Sequence, residues 1–315
     1  MTGTTPGGRV LVAGSANVDF VVRAPHIPAP GETVLGGDLS VVPGGKGANQ
    51  AVASARAGGA ETAMLVALGD DPSAAVLEES LRAAGVDLHL VRSARPTGAA
   101  LITVSDGAEN AITVAQGANG DLAPEHLPSL DRVSWLLLQL ETPLATVIAY
   151  ARAARVAGVR VMLNAAPAQP LPAELLALLD LLVVNEEELS AIVGKQGSIA
   201  ERLARTGVAT TVVTLGERGC CAFDHGTLIA QAAFSVTATD TTAAGDTFCG
   251  VLGAALAGGT DLLGALRRAA AAAALSATRA GAQISIPTAT EVATFLDDAA
   301  EADARTLAAY CGISE

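Results

Sequence analysis

Short apolar runs bounded by turn or polar residues recur along the chain, at Arg9–Ala13, 64–68, 135–140, Arg160–Asn164, Leu181–Asn185 and 211–215. Helical periodicities fall between several of them, near 73–84, 144–157 and 199–206. Strands that are apolar on both faces need cover on both faces. Alternation with helices therefore predicts a doubly wound α/β fold with a mainly parallel sheet. Ligands of such sheets bind beyond the C-terminal strand ends. Asn17, Glu141, Asn164, Asn185 and Gly216 fall at or just past those ends.

Two regions break the alternation. Residues 20–42 are rich in Pro and Gly with short β-prone pieces, and 97–116 alternate around Ser105-Asp106-Gly107, a hairpin pattern. Both are expected in a small accessory sheet outside the main one, within a single domain spanning residues 1–315. The alanine-rich run 269–274 reads as a tightly packed helix.

Two glycine-bearing segments carry the candidate chemistry. Ala243-Ala244-Gly245-Asp246-Thr247-Phe248 reads as a loop entering a helix. Phe248, Val251, Leu252, Ala255 and Leu256 then recur at the spacing of one buried stripe. The first amides of such a helix lack intrahelical partners and lie at its positive end, so they suit an anion. Asp246 would stand beside that anion as a base for an attacking hydroxyl; taken alone, the motif favours an ordinary first-turn Asp interacting with the dipole, and it is the second segment that shifts the balance. Upstream, Pro43-Gly44-Gly45-Lys46-Gly47-Ala48-Asn49-Gln50 opens a helix expected over 48–58. It is not a Walker A loop, because Gly47 rather than Ser or Thr follows Lys46. It is not a dinucleotide fingerprint either, because Gln50 takes the third glycine position.

Composition narrows the class. Half of the 315 residues are hydrophobic and only 3% aromatic, so Ala, Val and Leu must fill the core. No apolar run reaches the roughly 20 residues of a membrane span. The start, Met1 to Gly8, lacks the basic and apolar regions of a signal peptide. Cys220, Cys221, Cys249 and Cys311 show no metal spacing, and His26, His89, His126 and His225 form no ligand pair. Reduced thiols and a cytoplasmic protein are expected. A net charge of −13 disfavours nucleic acid and anionic membranes as partners. Against that field, polyphosphate would have to be held by amides, helix termini and cations.

Taken in order, the motifs resemble the ribokinase (PfkB) family of carbohydrate kinases over nearly the whole chain. They are Gly14-Ser15-Ala16-Asn17-Val18-Asp19, Pro30-Gly31-Glu32-Thr33, Gly44 to Ala51, Gln139-Leu140-Glu141, Leu163 to Ala168, Asn185 to Glu188, Thr214 to Gly219, Asp240 to Phe248 and Arg279 to Pro287. The resemblance implies ATP-dependent phosphorylation of ribose at its primary hydroxyl, with deoxyribose, fructose or a nucleoside as alternative acceptors. A sugar-sensing module without transfer chemistry is the non-enzymatic alternative. By the same resemblance the accessory sheet is a lid whose pairing makes a homodimer. Ala16, Asn17, Val18, Asp19, Gly45, Lys46, Gly47, Ala48, Asn49 and Glu141 would hold the sugar. Asp246 would be the base, with the amides of Ala243, Ala244 and Gly245 stabilising the transferred phosphoryl group. Asn185, Thr214, Leu215, Gly216, Glu217, Arg218, Gly219 and Ala270 would line ATP, Ala270 replacing a polar residue often seen beside the adenine. Glu188 would organise Mg²⁺ through water, and Asp240, Thr242, Ser276, Arg279, Gly281 and Ser285 would surround a K⁺ ion.

Overall fold

A computed structural model describes residues 8–107, 109–299 and 303–313. Apart from Gly8, the N-terminal stretch discussed above lies outside the described residues. In chain order the strands are β1 (Arg9–Ala13), β2 (Asn17–Ala24), β3 (Ser40–Gly44), β4 (Thr62–Leu68), β5 (Asp87–Arg92), β6 (Gly98–Ser105) and β7 (Asn110–Ala115). Then follow β8 (Val133–Leu138), β9 (Arg160–Asn164), β10 (Leu181–Asn185), β11 (Thr210–Thr214), β12 (Gly219–Asp224) and β13 (Thr227–Ala232). The helices are α1 (Lys46–Arg56), α2 (Pro72–Ala83), α3 (Leu144–Val156), α4 (Ala173–Leu176) and α5 (Glu186–Val193). They continue with α6 (Ile199–Ala204), α7 (Ala244–Ala257), α8 (Leu262–Ala277), α9 (Ala289–Asp298) and α10 (Ala304–Cys311).

Nine strands form the large sheet in the order β13-β12-β11-β10-β9-β8-β1-β4-β5. All pairs from β11 to β5 are parallel; β12 and β13 join antiparallel at one edge. Each strand feeds both faces. Val10, Val12, Leu181 and Val183 pack with α1, α2, α7, α8 and α9, while Leu11, Ala13, Leu182 and Val184 pack with α3, α4, α5, α6 and α10. The chain winds away from β1 in both directions, to β4 on one side and to β8 on the other. That makes the crevice beyond β1 and β8 the switch point of the fold, where a ligand site is expected.

The second sheet has the order β3-β2-β6-β7. It lies where the accessory sheet was expected, but β2 begins at Asn17, upstream of residue 20. One strand therefore carries both Asn17–Asp19 and the centre of the small sheet. The sheet is mixed, since β2 and β6 run parallel and the outer pairs antiparallel. Among the described residues no helix is long and apolar enough to cross a membrane.

α7 departs from the one-stripe expectation. Besides Phe248, Val251, Leu252 and Ala255, the intervening Cys249, Gly250, Gly253 and Ala254 are buried, and Leu256 is only partly so. The helix is wedged between α1, α8 and the sheet, so its small residues mark close helix contacts. At Gly250 an added Cβ would overlap the carbonyl oxygen of Gln50 and come within 2.7 Å of the Ala53 Cβ. Gly250→Ala is expected to push α7 off α1 and lower stability by about 1–3 kcal/mol. Thermal unfolding checks this; an unchanged midpoint would show the interface to be loose.

Candidate active site

The loop before α1 is pressed against the start of β2. Gly45 has φ +89°, and a Cβ there would lie 2.6 Å from the Asn17 nitrogen and 2.7 Å from the Ala16 Cα. Only glycine meets both demands. Ser15 locks the contact: its carbonyl accepts from the Ala48 amide at 2.9 Å, and its hydroxyl accepts from the Gly47 amide at 3.3 Å. The same hydroxyl donates to Glu141 Oε2 at 2.5 Å, and the Lys46 amide donates to that oxygen at 3.1 Å. Glu141 follows β8 and Ser15 follows β1, so these bonds span the switch-point crevice.

Asn17, Asp19, Lys46 and Glu141 are thereby gathered. Asp19 is 8% exposed, and its carboxyl is pushed up to about 7 by burial, then by the charges of Glu141 and Asp246, with Lys46 opposing. For Lys46 burial works to lower the pKa. Asp246, Glu141 and Glu188 outweigh it, so the ammonium is held above its ordinary value. Of the other residues expected around a sugar, Ala16, Val18 and Ala48 turn their side chains into the core, and the Gly47 and Ala48 amides are committed to Ser15. These four form the wall behind the site.

Asp246 occupies the third position of α7 and is 9% exposed. It faces α1: Asn49 Nδ2 donates to Oδ2 and Gln50 Nε2 to Oδ1, both at 3.0 Å. Asn49 Oδ1 is buried without a protein partner, an acceptor that a ligand hydroxyl would satisfy. The helix is entered through Ala243 with φ +60°, a left-handed conformation unusual for a residue with a Cβ. The Ala244 amide does not stay available for an anion as expected; it donates to the Thr241 carbonyl at 3.2 Å, closing the entry turn. The Gly245 and Asp246 amides make no backbone hydrogen bond, which leaves the anion-binding character of the helix start with them and with Ala243.

A cavity of about 180 Å³ sits there, lined by Lys46, Asn164, Asn185, Glu188, Asp246 and Cys249 among others. Burial, then the nearby carboxylates, pushes the Cys249 thiol up, so it is a wall and not a nucleophile. At Thr214 and Gly245 the cavity adjoins a cleft of about 600 Å³. Gly216, Glu217, Arg218 and Gly219 line the cleft near this junction, and Phe234, Val236, Phe248, Ala270 and Ala274 give it apolar walls. Leu215 does not line it as expected: it is buried on the other face of the sheet with α5 and α6, because alternate residues of an extended chain point oppositely.

Asn185 and Glu188 form a reciprocal helix cap. Asn185 Oδ1 accepts from the Glu188 amide at 2.8 Å, while Glu188 Oε2 accepts from the Asn185 amide at 2.7 Å and Oε1 from its Nδ2 at 3.0 Å. Each Glu188 oxygen keeps a lone pair, and burial raises its pKa. Asp240 holds two of the residues expected around a monovalent cation: Oδ1 accepts from Thr242 and Oδ2 from the Gly281 amide at 2.9 Å. The Arg279 guanidinium is paired with Glu291 instead. Ser276 and Ser285 are fully buried and donate to their own helix-turn carbonyls, Ala273 and Ala282.

A profile of the pfkB family of carbohydrate kinases matches residues 8–289. The chain belongs to that family. Its relatives include ribokinases of Haemophilus influenzae, 38% identical over 92% of this chain and 99% of the relative, and of Bacillus subtilis, 38% identical over 90% and 97%. Among solved structures, Thermotoga maritima ribokinase superposes with a TM-score of 0.87 at 35% identity, covering 92% of this chain and 100% of that one. The Arabidopsis thaliana ribokinase complexed with ribose and ATP superposes with a TM-score of 0.85 at 32% identity, covering 92% and 99%.

Three site residues of this pfkB kinase escape sequence reasoning. Asn119 clamps the start of β2: its Oδ1 accepts from the Ala16 amide at 3.0 Å, and its Nδ2 donates to the Ala16 carbonyl at 3.1 Å and to Asn17 Oδ1 at 2.8 Å. It lies in a 3-10 turn (Gly117–Asp121) with no motif around it. Ser15 and Gln50 stood inside quoted motifs, and only the fold reveals what they touch.

Proposed function

We propose that this chain phosphorylates D-ribose at its 5-hydroxyl with ATP, giving ribose 5-phosphate and ADP. One observation carries the reading: Asp246 touches the sugar-side helix α1 and, at the same time, stands in the cavity where the start of α7 offers unpaired amides. The likeness to two ribokinases at 38% identity, and to a third, 32% identical and similar in fold, that was solved with ribose and ATP bound, supports the choice of sugar.

The sugar lies between the main sheet and the lid. Asn17, Asp19, Asn49 and Glu141 accept from its hydroxyls, and Lys46 balances their charge. Asp246 removes the proton of the 5-hydroxyl as its oxygen forms a bond to the γ-phosphorus; the bond from that phosphorus to the β-phosphate oxygen breaks, and ADP departs. The Ala243 and Gly245 amides stabilise charge on the migrating group, worth about 3–4 kcal/mol for a well-aimed donor. Adenine takes the apolar end of the cleft beside Phe248 and Ala270.

Glu188 and Asn185 suit a Mg²⁺ ion reached through water, because their free oxygen lone pairs border the cavity; the ion would neutralise phosphate charge. Asp240 and the carbonyls around Thr242, Ser276 and Ser285 would hold K⁺ and steady the entry turn of α7. The exposed apolar residues Val41, Leu101, Ile112 and Val114 on the small sheet support its role as a lid that pairs with a second copy. A single domain with this lid accounts for both sheets. Four buried, unbridged cysteines fit a cytoplasmic setting.

A coupled ADP-release assay across a sugar panel tests the reading. Ribose is expected to give the highest kcat/KM over deoxyribose, fructose and nucleosides, with faster turnover in K⁺ than in Na⁺. Absence of ribose-stimulated ADP release would overturn the function, and equal rates in both salts would remove K⁺.

A further inference from the structure

Gln50 is fully buried, and each of its polar groups has a partner at good distance. Its Oε1 accepts from Gln139 Nε2 at 2.7 Å, and the other end of the amide must be nitrogen because it meets the Asp246 carboxylate, which can only accept. Its Nε2 then donates one hydrogen to Asp246 Oδ1 at 3.0 Å and the other to Asn164 Oδ1 at 3.1 Å. Gln139 follows β8 and Asn164 ends β9. Asp246 is thus tied through one side chain to the ends of two adjacent strands in the rigid sheet.

The other bond to Asp246 differs in kind. Asn49 also reaches it, but Asn49 keeps a second, unpartnered oxygen in the site and belongs to the set that meets the sugar. A hydroxyl arriving there competes with or redirects that contact. The Gln50 bond has no such exposure to ligand. The backbone of Gln50 acts in the same sense: its carbonyl packs directly against α7 at Gly250, one turn after Asp246. A neutral amide also suits the post, because it holds the carboxylate without carrying a proton that could be given to it.

We propose that Gln50 is a positioning residue for Asp246, fixing one carboxylate oxygen through Gln139 and Asn164 so that the other faces the acceptor hydroxyl. The proposal rests on Asp246 being the base. A shift of about an ångström at a reacting group costs up to ~10²-fold in rate, so loss of this strut reads out in turnover and not in ligand affinity.

The experiment compares Gln50→Met, which keeps length but deletes the hydrogen bonds, with Asp246→Asn and the double variant, using steady-state ADP release with ribose and ATP. Gln50→Met is expected to lower kcat ~10–100-fold with both KM values within ~2-fold of the parent. In the Asp246→Asn background it is expected to add less than ~3-fold, because the group it positions is already gone. A full Gln50→Met loss in that background, a raised KM at unchanged kcat, or an unchanged kcat would each overturn the proposal. Should Gln50→Met fail to fold, Gln139→Met unpins Gln50 without removing it, and a kcat loss of ~3–10-fold at unchanged KM is expected; no loss overturns the proposal. If Asp246→Asn itself keeps wild-type turnover, the base assignment fails instead, which separates the two ideas.

Discussion

Asp246→Asn lowers kcat by at least ~10²-fold while sugar binding, measured by calorimetry, stays within a few-fold of the parent. The two side chains are nearly the same shape, so the packing of α7 against α1 survives. What changes is chemistry. The carboxylate accepts from Asn49 and Gln50 through different oxygens, and the asparagine amide retains one acceptor. It cannot take the hydroxyl proton. The lost donor contact explains a modest effect on sugar affinity, since Asn49 then reorients. Two other carboxylates, Asp19 and Glu141, stand close enough to influence local charge. Turnover within tenfold of the parent would assign the base to one of them, and Asp19 would be the first to examine.

How much of this was legible in the sequence follows from what each residue depends on. Strand and helix positions depended on local periodicity, so β1, β9 and β10 fall where the apolar runs placed them. The nature of α7 did not, because burial on every side comes from neighbours distant in sequence, and its amphipathic stripe understated the contact. Glycine-rich turns located the site, since a loop pressed onto Ala16 and Asn17 needs Gly45 wherever it occurs. Hydrogen-bond commitments were invisible. Leu215 sat within a cleft motif yet faces the core, the Ala244 amide closes a turn, and Asn119 reaches Asn17 from about a hundred residues away. A motif names the residues near a ligand. Which atoms remain free is decided by the fold.

Asp19→Asn stabilises the unliganded protein at pH 8 and weakens ribose binding. Burial, Glu141 and Asp246 raise the Asp19 carboxyl from 3.8 to about 7. The folded state therefore holds this proton more tightly than the unfolded chain. Its contribution is neutral below about 4, turns increasingly unfavourable as pH rises towards 7, and is constant above that. Taken at face value the shift is worth roughly 4 kcal/mol; water entering the cleft reduces the expected gain for Asn to about 1–2 kcal/mol, a few degrees in melting temperature. At pH 5.5, safely above the pI of 4.7, about half of that gain should remain. Thermal melts at the two pH values, without sugar, read the difference. Equal gains at both would show that packing and not charge is responsible. The binding loss has the same origin, because the carboxylate confined beside Glu141 and Asp246 relieves its repulsion by accepting from sugar hydroxyls. An asparagine has one acceptor oxygen fewer in its place, and a rise in ribose KM of at least ~10-fold is expected from losing a charge-assisted hydrogen bond. The instability of the empty site and its grip on the sugar are two consequences of one crowded carboxylate.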